Sequence, residues 1–241
     1  MATDATPTYL PHIAYDSVIF GFTGGKLKIL LMEYHRTTWF ALPGGFVRTD
    51  EPLDLAVRRG LHERTGLDDI YLRQFHTFGS LERHDREAMR TIIEASGYST
   101  EEFGWMLDRF VSIAYYALIN YATVELRPDA LSDSIGWYDI DHLPPLLFDH
   151  ATIVNRALSV LRDNLEANLV GKNLLPDQFT MKELQCVYEA ILGEDLPRSS
   201  FQRKMLASGH LQRREKLRHG KAHKAPYLYS FSLATGKKDE A

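Results

Sequence analysis

The stretch from Pro43 to Gly66 constrains the fold more than any other part of the chain. Pro43-Gly44-Gly45 breaks a run of β-forming residues. Asp50 then stands where a helix N-cap belongs, with Glu51 and Pro52 in the first turn. Leu53, Val57 and Leu61 recur at helical spacing until Gly66 closes the helix. The flanking pattern supplies a sheet for that helix to cover. Residues 17–22 and 27–32 are short apolar β-rich runs joined through Thr23-Gly24-Gly25, a hairpin signal, and 39–42 continues the strand pattern. Further strands are expected at 70–78, 110–119 and 137–140. Residues 151–166 read as a helix with Ile153, Ala157, Val160 and Leu161 on one face.

Residues 81–109 interrupt this α plus β pattern with a charged, helix-prone segment. Within it Ser99-Thr100-Glu101-Glu102 is a capping-box pattern that predicts a short helix through Leu107. An insertion of this length is a lid, an interface element or an ornament. Residues 164–177, with Gly171, Asn173 and Pro176, read as a linker. Beyond it, Thr180-Met181-Lys182-Glu183 opens a helix that Gly193 ends. Pro197-Arg198-Ser199-Ser200 caps a second helix over 201–207, followed by a strand at 211–214, a basic tip at 218–224 and a returning strand at 227–233. On that last strand Tyr227, Tyr229 and Phe231 share a side. Helix, turn, helix, strand, basic loop, strand is the order of a winged helix-turn-helix.

Charge separates the same two parts. Residues 1–170 carry 15 Lys and Arg against 24 Asp and Glu; residues 171–241 carry 13 against 8. Between Arg198 and Lys224 nine basic residues face one acid, Glu215, a bias that suits a polyanion and fits a merely solvated surface equally well. No apolar run approaches the roughly 20 residues that span a bilayer. The first 16 residues hold two acids and no Lys or Arg, unlike a secretory signal. One cysteine, Cys186, allows neither an internal disulfide nor a cysteine metal cluster. A soluble, cytoplasmic chain is expected.

Residues 45–67 resemble the Nudix box, whose pattern is Gly, five residues, Glu, seven residues, then Arg-Glu-aliphatic-x-Glu-Glu-x-Gly-aliphatic. Gly45, Glu51, Arg59, Gly66 and both aliphatic positions are in register. In that family three carboxylates, spaced i, i+3 and i+4, stack on one helix face and hold divalent metal against a nucleoside diphosphate. Here those positions are Gly60, Glu63 and Arg64. One carboxylate is gone and another is a cation, so the box reads as vestigial, with no metal, no cofactor and no catalytic residue expected. Mg²⁺ returns only if acids of the insertion, such as Glu82, Asp85 or Glu87, rebuild the site. The resemblance gives Glu51 and Arg59 a bracing role. His35, Arg36, Arg48 and Arg64 are the candidates to meet a polar or anionic effector, and Trp39 offers a ring face. Each also has a plain alternative: Trp39 as core, His35 and Arg36 as solvated turn.

The whole chain resembles the Nudix-related transcriptional regulators, a degenerate Nudix domain joined to a C-terminal winged helix. The likeness runs through Gly44-Gly45-Phe46-Val47, residues 111–119, Leu143-Pro144-Pro145-Leu146-Leu147-Phe148-Asp149-His150, Asn173-Leu174-Leu175-Pro176, and residues 179–190. It implies an α+β protein: a Nudix-type α/β/α sandwich with a mixed sheet over 1–167, then a small winged helix-turn-helix over 168–241. It implies a pocket that senses ADP-ribose in regulators of NAD metabolism, or pentoses such as arabinose in regulators of sugar use. Homodimers on palindromic, double-stranded operators are implied as well. On the helix at 199–207, Gln202, Arg203 and Lys204 are placed to reach bases or phosphates, and Arg198, Ser199 and Ser200 suit phosphate contact at its start. Arg213, Arg214, Lys221, His223 and Lys224 on the wing would meet backbone or minor groove. Two competing readings remain: an active Nudix hydrolase on ADP-ribose or a related nucleoside diphosphate, and an RNA-binding module.

Overall fold

A computed structural model describes residues 9–68, 70–166, 171–217 and 225–232. The strands β1 (Tyr9–Thr23) and β2 (Lys26–Tyr34) form the expected hairpin. Gly24 and Gly25 have φ of 59° and 76°, and a turn with two positive φ angles matches the twist of paired strands. Five more strands complete the sheet: β3 (Phe40–Ala41), β4 (Gly44–Arg48), β5 (Tyr71–Phe78), β6 (Val111–Ile119) and β7 (Ser132–Asp139). Their order is β3-β2-β1-β6-β5, with β4 also on β1 and β7 also on β2. The β1–β6 pair is parallel and the others are antiparallel, so the sheet is mixed.

Both faces of the sheet are covered, which is why β1 reads as an unbroken apolar run rather than an alternation. Val18 and Phe20 pack with Ile153, Val154, Ala157 and Leu161 of one helix, α4 (His150–Asp163). Ile19, Leu30 and Ala117 pack with Ala56, Val57 and Leu61 of another, α1 (Leu53–Thr65). The inserted segment carries α2 (Arg86–Ala95) and α3 (Thr100–Phe103), capped by Asp85 and Ser99. It has its own apolar cluster, in which Ile93, Met106 and Leu107 meet Phe46 and Trp105.

Local expectations are refined at three places. The break falls at Leu42-Pro43, after β3 stops at Ala41, and Gly44 and Gly45 already belong to β4. A Cβ at Gly44 would stand 2.8 Å from the Tyr15 carbonyl and the Asp16 carboxylate, so glycine is what lets β4 approach β1. Asp50 does not cap α1; Pro52 occupies that position, without a side-chain cap. Within the 164–177 linker the described residues form a short helix, α5 (Gly171–Leu174), and bury Leu165, Leu174 and Leu175.

The C-terminal part contains β8 (Phe179–Thr180), α6 (Met181–Leu192), α7 (Arg198–Ala207), β9 (Leu211–Lys216) and β10 (Tyr227–Phe231). The sheet order is β8-β10-β9. The Thr180 capping box is closed from both sides: Glu183 N–H donates to Thr180 Oγ1 at 3.2 Å, and Thr180 N–H donates to Glu183 Oε2 at 2.6 Å. Leu184, Val187, Tyr188 and Ile191 of α6 lie in the same core cluster as Phe20, Ile29 and Leu161. The small domain therefore shares a core with the large one. Among the described residues no helix is long and apolar enough to cross a membrane.

Candidate functional site

A cavity of about 260 Å³ opens where β1, β2, β4, α1 and the start of α4 converge. Tyr9, Tyr34, Phe46, Phe110 and Phe148 give it an aromatic wall. Trp105 backs that wall, edge-on to Phe46 at 4.7 Å and stacked on Tyr9 at 5.3 Å between centroids. The insertion contributes Arg83, His84, Met89, Met106 and Asp108, so it caps the pocket. Phe148 has φ of 54°, a region costly for a bulky residue, and strain of that kind collects at functional sites.

The glycine turn and α1 form the floor. Arg59 binds Glu51 through Nε at 3.1 Å and Nη2 at 2.6 Å, and reaches Glu63 through Nη1 at 3.3 Å. This fork holds the Glu51 carboxyl below its usual range. Glu51 also accepts the Arg48 N–H at 3.0 Å, which ties the turn to the helix. The side chain of Arg64 is 8% exposed. Its guanidinium donates to the carbonyls of Gly60 at 2.9 Å and Gly44 at 2.7 Å, and to Asp129 Oδ2 at 2.7 Å. Gly60 is filled from outside: a Cβ there would overlap the Tyr15 hydroxyl and stand 3.1 Å from Tyr15 Cζ. Burial raises the Tyr15 pKa, so this phenol is neutral.

A divalent ion does not fit these residues. Of the three metal-ligand positions, 60, 63 and 64, only Glu63 is a carboxylate, it stands beside two guanidinium groups, and a hard cation needs several oxygens. Among the described residues no group of three or more His, Cys, Asp and Glu side chains could hold a metal. Of the insertion acids, Asp108 lines the cavity, one carboxylate where a hard cation needs several oxygens. Asp85 caps α2, Glu87 pairs with Arg90 at 3.0 Å, and neither they nor Glu82 line the cavity.

A buried polar cluster that the sequence reading missed forms the opposite wall. Arg83 bridges Asp149, at 3.1 Å from Nε, and Asp16, at 3.3 Å from Nη2, and donates to the Phe110 carbonyl at 2.8 Å. Ser112 Oγ donates to Asp16 Oδ2 at 2.5 Å. His150 Nδ1 accepts the Leu42 N–H at 3.0 Å, which puts its proton on Nε2, 3.5 Å from Asp16 Oδ1. Burial lowers the His150 pKa, so the ring is neutral. An Asp-His pair opening a helix was the available signal.

Of the five sequence-based effector candidates, Arg64 lines the cavity. His35 and Arg36 lie in the β2–β3 turn, where the His35 ring and the Arg36 backbone N–H engage the Asp133 carboxylate. Trp39 packs with Tyr34, Ala41 and Ile92, its core alternative. Arg48 lies at the end of β4, its Nε buried without a partner.

On α7, Phe201 and Met205 face the core, which turns Ser199, Gln202, Arg203 and Leu206 outward at spacing i, i+3, i+4, i+7. Arg198 and Ser200 are exposed beside this stripe. Lys204 is not on it: its ammonium pairs with Glu166, just beyond α4. Leu206, 47% exposed, is an outward apolar residue the sequence reading passed over. Arg213 lies over the Tyr227 ring at 3.2 Å, and Arg214 donates to Ser230 Oγ at 2.9 Å. Lys221, His223 and Lys224 lie outside the described residues.

Comparison with known proteins draws the two halves together. Residues 171–231 match the NrtR DNA-binding winged helix domain family. The ADPR responsive transcriptional repressor NtrR of Acinetobacter baylyi is 31% identical over 231 residues, covering 92% of this chain and 83% of the relative. The chain belongs to the Nudix-related transcriptional regulators. This family includes Shewanella oneidensis NrtR, whose crystal structure shares 26% identity and a TM-score of 0.68 over 92% of this chain and 94% of that one. The same protein complexed with a 27mer DNA gives 0.67 over 91% and 93%. Outside the regulators, an ADP-ribose pyrophosphatase of Methanocaldococcus jannaschii is 26% identical over 147 residues, covering 60% of this chain and 71% of that protein.

Proposed function

We propose that this chain is an ADP-ribose-responsive transcriptional repressor that binds operator DNA through α7 and holds its effector without cleaving it. The observation that carries the reading is the run of α4, 14 residues or about 21 Å long, from one site to the other. At its start Asp149 and His150 belong to the Arg83 cluster in the effector cavity. At its end Arg162 donates to the Ile191 carbonyl of α6 at 2.7 Å, and Glu166 pairs with Lys204 of α7. A second cavity, about 480 Å³, lies between α4, α6 and α7. An effector that binds one arrangement of α4 better than another must bias α7, and by the same linkage DNA must bias the effector.

ADP-ribose is favoured over a pentose by the Acinetobacter relative's name, and by a wall of aromatic rings able to stack on a base. ADP-ribose is a breakdown product of NAD, which points the regulator at genes of NAD metabolism. The proposed lack of cleavage is supported by the single carboxylate among the three metal-ligand positions, Gly60, Glu63 and Arg64, and the reading calls for no metal or cofactor. One α7 presents four residues to a major groove, so two copies on a two-fold operator are needed for a site of useful length. A thermal-shift comparison of ADP-ribose with L-arabinose tests the effector. ADP-ribose alone is expected to raise the melting temperature, and a rise with arabinose alone would overturn this part.

A further inference from the structure

We propose that the Arg64 guanidinium is a tethered replacement for a divalent cation, gathering the oxygens that would otherwise ligate one, so that the pocket keeps its shape with no ion. The Gly60 carbonyl at 2.9 Å comes from α1, the Gly44 carbonyl at 2.7 Å from the glycine turn, and Asp129 Oδ2 at 2.7 Å from the loop before β7. The Met32 thioether completes the shell at 3.3 Å from Nε. Two backbone carbonyls and a carboxylate around one cationic centre make a hard-cation donor set. Here a planar fork, not a sphere, fills it, and the guanidinium keeps its charge at any working pH.

The arrangement is built from both sides. Asp129 is held in place by its other oxygen, which accepts from Leu131 N–H at 3.0 Å and Ser132 Oγ at 2.8 Å. The loop is also sewn to α1 through Arg127 N–H and the Arg64 carbonyl at 3.0 Å. Gly44, Asp129 and Leu131 all line the effector cavity, so the group that joins them sets the cavity's shape. A metal ion is excluded twice, by the volume of the fork and by its charge. Tyr15 keeps a carboxylate away from position 60, and Arg59 already holds Glu51. This role of Arg64 does not depend on which effector the pocket takes.

The test is a Mn²⁺ titration of the full chain, read by the electron paramagnetic resonance of free Mn²⁺ and by melting temperature in Mn²⁺ against EDTA. Wild type is expected to take up no Mn²⁺ at this turn and to melt alike in both. Arg64→Ala frees the oxygens; it is expected to melt lower by about 5 °C or more in EDTA, to take up Mn²⁺, and to regain part of the loss. Arg64→Lys keeps a charge without the fork and tolerates the site better, so it is expected to melt below wild type and still exclude Mn²⁺. Uptake by wild type that Asp129→Asn abolishes would overturn the proposal. So would Mn²⁺ uptake by Arg64→Lys, or an Arg64→Ala protein that melts as low in Mn²⁺ as in EDTA, since the side chain would then be a brace and not a replaced ion. Failure of ADP-ribose to bind would sink the effector assignment and leave these results standing.

Discussion

The Tyr15 hydroxyl stands where a side chain at position 60 would begin, so Gly60 and Tyr15 share one volume between β1 and α1. A carboxylate restored at position 60 must evict a buried ring that is 3% exposed. Gly60→Glu is therefore expected to destabilise the fold by about 1–3 kcal/mol, the usual cost of overpacking, and to confer no hydrolysis. In a urea-unfolding double-mutant cycle, adding Tyr15→Ala should recover part of that loss by making room, a coupling of about 0.5 kcal/mol or more. Strict additivity of the two substitutions would show that they do not share the space.

Operator binding should separate two adjacent basic residues of α7. Arg203 faces outward with Ser199 and Leu206, whereas Lys204 faces Glu166. Arg203→Ala is expected to weaken operator binding by about 1–3 kcal/mol and, if it meets phosphate, to lower the salt slope by about one. Lys204→Ala should change affinity by no more than about 0.5 kcal/mol, as surface substitutions do. Anisotropy titrations at several salt concentrations check both, and equal losses would contradict the assignment of faces.

The Glu166–Lys204 pair should matter for communication more than for either site. Glu166→Gln leaves the cavity and the outward stripe of α7 untouched. ADP-ribose and DNA should each bind as in wild type when alone, while the coupling between them, about 1–3 kcal/mol in typical allosteric proteins, shrinks. Calorimetric titration of ADP-ribose with and without operator measures that difference.

Acid should loosen the fold through His150. The folded ring is held neutral by burial, with the Leu42 N–H on its Nδ1. In the unfolded chain the same ring takes a proton below its ordinary pKa of about 6.5. The unfolded state thus binds more protons, and stability contributed by this group is present above pH 6.5 and lost as pH falls below it. Melting temperatures from pH 7.5 to 5 should decline in wild type, and the part of that slope due to His150 should vanish in His150→Gln.

Local signals were the legible part of the sequence. The Thr180–Glu183 box, the turn at Gly24-Gly25, and the caps at Gly66 and Gly193 depend on neighbours within a few residues, and each is formed. The cavity wall was not readable, because Asp16, Arg83, Ser112 and Asp149 come from four separate segments and no periodicity links them. His35 and Arg36 looked like ligand contacts as polar turn residues. Asp133, nearly a hundred residues away, takes the His35 ring and the Arg36 backbone N–H. Glu166 likewise takes Lys204 from the outward face of α7, which composition had counted with the rest of the basic stretch. Charge counts report how much positive surface exists, not which way it points.

The most direct test of an effector-binding, non-cleaving regulator combines two readings on one sample. Duplex DNA selected by the chain from a random-sequence pool is titrated by anisotropy with and without ADP-ribose in Mg²⁺ buffer. The nucleotide is then recovered and analysed. The account predicts an apparent Kd for DNA that shifts by about tenfold, equivalent to a coupling near 1.4 kcal/mol, with ADP-ribose returned intact. An unchanged Kd at saturating ADP-ribose, or recovery of AMP and ribose phosphate in its place, would contradict it.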